Sequence, residues 1–122
     1  MVTGAALLQM RFTVADLARL RARVGDIAVL AGLGERRCEE FVLAAYELAS
    51  NAILHGGGGG HLQLSRADGF LRCQVSDDGP GFARAAAASG RGLRLAQELT
   101  DRIEVNSEAG GAVITVMIQC RS

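Results

Sequence analysis

The chain has 122 residues, 49% of them hydrophobic, with 13 acidic and 13 basic side chains and a formal net charge of zero. That is enough for one domain over residues 1–122 with a real core, and the interspersed charges leave no basic face for direct contact with nucleic acid. No apolar run approaches a membrane span, no signal-like segment opens the chain, and all 13 basic residues are arginine, so a soluble cytoplasmic protein is expected, with neither a P-loop nor a eukaryotic-type kinase lysine.

In chain order, Leu8, Met10 and Phe12 alternate with Gln9 and Arg11, which predicts a strand with one buried face. Thr13 and Asp16 have capping-box spacing, with Asp in place of the usual Glu or Gln. Val14, Leu17, Leu20, Val24, Ile27 and Leu30 then repeat at helical spacing until Gly32 and Gly34. A second helix is expected from near Glu35 to His55, and the glycines at 56–60 that stop it read as a mobile loop. Leu62 and Leu64, a turn at Ala67-Asp68-Gly69, and Leu71, Cys73 and Val75 form an antiparallel hairpin. Phe82 to Ser89 is either a loose helical turn or a flap. Ser89-Gly90-Arg91-Gly92 opens a helix whose Leu93, Ala96 and Leu99 share a face, followed by a strand at Ile103 and Val105. After a turn over Ser107–Gly111, the last strand puts Ile114, Val116, Ile118 and Cys120 inward. Cys38, Cys73 and Cys120 lack metal-ligand spacing and read as reduced core or edge thiols. The expected fold class is α+β, a two-layer sandwich with helices on one face of a mixed, mainly antiparallel sheet.

Two places break the pattern of an ordinary core. The stretch from Phe41 to Leu54 is almost wholly apolar, yet Glu47 and Asn51 stand four apart on one helix face between Leu43 and Leu54. Such a pair either sits at a helix edge in water or faces a bound polar group. Asp77 follows Val75 in the parity of the buried side chains, just before Gly79-Pro80-Gly81. It is either a turn aspartate bonded to nearby amides or an acceptor for a buried donor such as an exocyclic amine. The glycines before the third helix allow backbone amides to approach an anion.

Taken together, ELASNAILHG (Glu47–Gly56), DDGPGF (Asp77–Phe82) and GRGLRLAQELTDRIEV (Gly90–Val105) resemble the N-box and the two glycine boxes of the GHKL ATP-binding family. That family includes gyrase, Hsp90, histidine kinase and MutL ATPases, and its fold is the Bergerat ATP-binding fold. The small size and the lack of a phospho-acceptor helical domain resemble the anti-sigma-factor serine kinases of the RsbW and SpoIIAB type. The resemblance implies an ATP- and Mg2+-dependent protein serine kinase that holds a sigma factor and phosphorylates an anti-anti-sigma protein of STAS type, and it implies a homodimer. It makes Glu47 the general base, Asn51 a magnesium ligand, and Asp77 the acceptor for the adenine amino group. Gly79 and Gly81 would let the backbone close on the nucleotide, and Gly90, Arg91, Gly92 and Leu93 would meet the phosphates. The family's closing Gly-Thr-Thr is replaced here by Gly111-Ala112-Val113, with Thr115 further on. The alternative is a nucleotide-binding module that sequesters a partner without turnover, and a third reading is a stand-alone histidine-kinase core.

Overall fold

A computed structural model describes residues 6–55, 57–77, 91–108 and 111–120. Five strands, β1 (Ala6–Thr13), β2 (Gly59–Ala67), β3 (Phe70–Ser76), β4 (Arg102–Glu108) and β5 (Gly111–Gln119), form one sheet in the order β1-β2-β3-β5-β4. All four pairings are antiparallel. Among the described residues, helices α1 (Leu17–Leu30), α2 (Glu35–His55) and α3 (Arg91–Leu99) are joined to them, with a 3-10 turn at Val14–Asp16 leading into α1. Helix α2 packs on β2, β3 and β5, flanked by α1 and α3, so the expected two layers are present.

The register explains why one face of the sheet is apolar. Met10 pairs with Leu62, Leu62 with Val75, Val75 with Ile114 and Ile114 with Val105, an apolar row across the whole sheet. A parallel row joins Leu8, Leu64, Cys73, Val116 and Ile103. Against these rows α1 presents Leu20, Val24 and Ala28, and α2 presents Phe41, Ala44, Ala45, Leu48, Ala49 and Ala52, all fully buried. Each large side chain removed from water here contributes about 1.5–3 kcal/mol. The opposite face carries the row Gln9, Gln63, Gln74, Thr115 and Glu104. None of these five belongs to the hydrophobic core.

Local chemistry sets the element ends. The Thr13 amide donates to Asp16 Oδ2 at 2.9 Å, the backbone half of the expected capping box. Helix α1 ends in a Schellman pair, Gly32 N to Val29 O at 3.0 Å and Leu33 N to Ala28 O at 3.2 Å, with Gly32 at φ 92°. Asp68 and Gly69 both have positive φ, as a two-residue type I′ hairpin requires. Among the described residues no helix is long and apolar enough to cross a membrane.

Several expectations are corrected. Val14 and Leu30, at the ends of the predicted α1 stripe, are 67% and 80% exposed; Val14 belongs to the 3-10 turn before α1, and Leu30 is the last residue of the helix. Strand β4 and strand β5 extend into the expected turn, with Ser107 paired to Ala112 and Glu108 to Gly111. The glycine run is not one loop: Gly59 and Gly60 are strand residues paired with Thr13 and Phe12. A Cβ on Gly59 would lie 2.5 Å from the Phe12 carbonyl oxygen, and one on Gly60 would collide with the Ser76 carbonyl and touch the Phe12 ring. Gly60→Ala is therefore expected to destabilise the protein by about 1–3 kcal/mol. Gly34→Ala, where an added Cβ meets nothing, serves as the control. Urea midpoints check this, and equal midpoints would refute the tight approach.

The cysteines are free thiols, as expected. Burial pushes the Cys73 thiol from 9.0 up to about 12. Because the folded chain holds this proton more tightly than the unfolded chain, the contribution is complete below pH 9.0 and is lost as pH rises towards about 12. Denaturant titrations should show stability falling in that window by at most about 1.4 kcal/mol per pH unit from this group. Cys73→Ala should flatten that part of the slope, and an unchanged slope would assign it elsewhere.

Candidate functional site

The chain's turns bring its polar residues to one end of the sheet. Helix α2 closes with Gly58 N bonded to Ile53 O at 3.2 Å, and β2 starts at the next residue. The start of β2 lies beside the end of β3, with His61 paired to Ser76, and Ser76 is paired to Val113 near the start of β5. The last turns of α2, the residue after β3 and the opening of β5 therefore share an end. Helix α3 finishes at the other end, where Arg102 of β4 pairs with Met117. Its nine residues run back about 13 Å towards the first end.

Asp77 is 6% exposed, directly past β3, in line with Leu71, Cys73 and Val75. Strand parity therefore delivers the carboxylate to the helix-covered side, as read from the sequence. Asn51 and Glu47 are half-buried on α2, one turn apart. The Nδ2 atom of Asn51 is buried with no hydrogen-bond partner among the described residues. An unmet buried amide donor costs about 1–3 kcal/mol, so its head group is suited to a bound acceptor. Turned over, the same amide presents Oδ1, an oxygen of the kind magnesium takes. Leu43 and Leu54, expected to cover this stripe, are 41% and 74% exposed. The stripe is thus a half-covered helix edge beside the sealed residues Phe41, Ala44, Ala45, Leu48, Ala49 and Ala52.

Arg91 and Gly92 are the first residues of α3, and Leu93 is half-buried against the core. Gly79, Gly81 and Gly90 lie outside the described residues, as does the segment Phe82–Ser89. Thr115 is 1% exposed and stands between Gln74 and Glu104, on the opposite face from the Ile114 and Val116 that line the core. It therefore does not fill the place of a threonine on the Asp77 side. Among the described residues no group of three or more His, Cys, Asp or Glu side chains is arranged to hold a metal.

Two residues at the far end had no sequence signal. Arg37 and Asp101, 64 positions apart, bond at 2.9 Å, and the Asp101 carboxylate also accepts the Gln119 amide at 2.7 Å. No local pattern links positions so distant in the chain.

A family model for the histidine kinase-like ATPase domain matches residues 10–118. No curated protein matches the chain. Among solved structures, the chain is similar to the RsbU and RsbW domains of Rv1364c from Mycobacterium tuberculosis, with a TM-score of 0.72 and 22% identity. The match covers 94% of this chain and 33% of that one, so the chain spans about a third of that structure's length. At this identity the likeness shows the fold.

Proposed function

Because the chain belongs to the histidine kinase-like ATPase domains, we propose that it binds Mg-ATP between α2, the end of β3 and the start of α3, and transfers phosphate to a partner serine. Its two-layer sandwich is the Bergerat fold, a GHKL architecture. The observation that carries the site is the buried carboxylate of Asp77, set at the sheet end reached by the Asn51 turn of α2. A buried carboxylate there suits the adenine amino group as donor. Asn51, with its unmet amide head, would hold magnesium together with phosphate oxygens and water. When bound, Mg-ATP would supply the γ-phosphoryl group, with ADP as the leaving group and the metal offsetting the charge. The chain's own part is to orient the nucleotide and, through Glu47, to take the proton from the attacking hydroxyl. Gly79, Gly81, Gly90, Arg91, Gly92 and Leu93 complete the nucleotide contacts in this reading.

The partner is read as a serine-bearing anti-anti-sigma protein of STAS type, and the sequestered one as a sigma factor, in the cytoplasm. The solved RsbW domain supports that direction. A groove of 710 Å³ between α1 and α2 adds support from the surface. Val29, Val42, Leu43 and Tyr46 line it, and Arg21 lies 5.4 Å from the Tyr46 ring. Incubation with labelled ATP and candidate STAS proteins tests the proposal. Transfer to serine on one of them, with release of a co-purifying sigma factor, is expected.

One observation favours a second reading, nucleotide binding without turnover. With Gly111-Ala112-Val113 in place of Gly-Thr-Thr, and Thr115 on the far face, this side of the nucleotide loses hydroxyl contacts. Mg-ATP binding with no transfer to any partner would select it.

A further inference from the structure

The site is divided between two helices. Glu47 and Asn51 ride on α2, and Arg91 to Leu93 open α3. Chemistry between them depends on the angle and spacing of these helices. Helix α3 has nine residues, of which Ala96 is fully buried, while Leu93 and Leu99 are partly buried against the core. A cavity of 510 Å³, lined by Gly32, Leu33, Gly34, Arg37, Asp101 and Gln119, lies where the end of α3 meets the start of α2. At that junction polar bonds add to the apolar packing of Ala96, Leu93 and Leu99.

Those bonds converge on Asp101, two residues beyond α3. Its amide donates to Met117 O at 2.9 Å, and its Oδ2 accepts the Gln119 amide at 2.7 Å, which ties it to β5. Its Oδ1 accepts from Arg37 Nη2 at 2.9 Å, which ties it to α2. Arg37 is braced in turn by Glu40 at 2.7 Å. Burial pulls the Arg37 guanidinium down, but Glu40 and Asp101 outweigh it and hold its pKa above the ordinary value. Among the described residues, this is the ion pair that joins α2 to the segment following α3. An isolated exposed pair would contribute little, but a guanidinium shared by two carboxylates, one of them fixed to the backbone, has defined geometry.

We infer that Arg37 and Asp101 form a latch that positions α3 against α2 and so sets the phosphate end of the site, about 15 Å or more along α2 from the latch itself. The inference rests on the nucleotide-binding reading. Both are positioning residues, since neither lies at the end where the nucleotide is read.

The test is Mg-ATP and adenosine affinity for the wild type, Arg37→Gln, Asp101→Asn and the double variant, measured well below each melting midpoint. Each single variant should weaken Mg-ATP by about five- to tenfold, the scale of coupling between distant sites. Adenosine, which lacks phosphates, should bind all four proteins alike. The double variant should bind no more weakly than the worse single one, because both remove the same contact. Arg37→Lys should recover part of the loss, since it keeps the charge but not the fork. Hydrogen exchange should quicken in α3 more than in β2 or β3. Wild-type Mg-ATP affinity in both single variants would overturn the latch, as would a matching loss for adenosine or full additivity in the double variant. A wild type that binds neither ligand would overturn the nucleotide reading and the latch with it.

Discussion

Glu47→Gln is expected to reduce phosphate transfer to a partner serine by roughly 10²–10⁴-fold while leaving Mg-ATP binding near wild type. In the proposed mechanism the carboxylate would accept the proton as the serine oxygen attacks, and a carboxamide of the same shape would not. Glu47 holds neither the adenine nor most of the phosphate charge, so affinity should be spared. If the proposed sequestration of a sigma factor uses the outer helical surface, it should also survive, leaving an inhibitor whose partner can no longer be phosphorylated. Glu47 is half-buried on a helix edge, so the substitution leaves no sealed charge unpaired. Thermal melting should accordingly change little. Transfer at the wild-type rate would remove Glu47 from the chemistry, and a collapsed melting midpoint with lost binding would make it a structural residue.

Asp77→Asn is expected to weaken Mg-ATP by about 1–3 kcal/mol, or roughly 5- to 150-fold. At 6% exposure the side chain has little water to fall back on. The variant amide sets its NH2 against the adenine amine unless it turns its oxygen inward and buries the donor elsewhere. Asn51→Ala should act on a different part of the affinity. It should narrow the difference between binding with magnesium and binding in its absence, while adenosine binds as before. Calorimetry on both variants separates the two roles. Wild-type affinity in Asp77→Asn would show that the carboxylate does not read the base.

Much of this arrangement was legible in the chain because strands report their faces by alternation. The alternation of Leu71, Cys73 and Val75 predicted a buried Asp77, and the structure leaves it 6% exposed. The four-residue spacing of Glu47 and Asn51 likewise survives on α2. Hydrophobicity failed where it was asked for direction: Leu43 and Leu54 look like cover for the stripe and are in fact exposed. Glycine failed for a different reason. Without a side chain it carries no alternation, so Gly59 and Gly60 gave no sign of lying against the Phe12 and Ser76 backbone. The Arg37–Asp101 bond joins residues 64 apart, and only the folded topology brings them together. The expected roles of Gly79, Gly81 and Gly90 lie outside the described residues.

A site built around Asp77 has one consequence that needs no variant. ATP offers an amino group where GTP carries a carbonyl oxygen, and a buried carboxylate accepts from the first and repels the second. The decisive measurement is a competition titration of the wild-type protein with Mg-ATP and Mg-GTP. Saturable Mg-ATP binding, tighter than Mg-GTP by roughly 10- to 100-fold, is the expected result. Equal affinity for the two nucleotides, or no saturable binding of Mg-ATP, would contradict it.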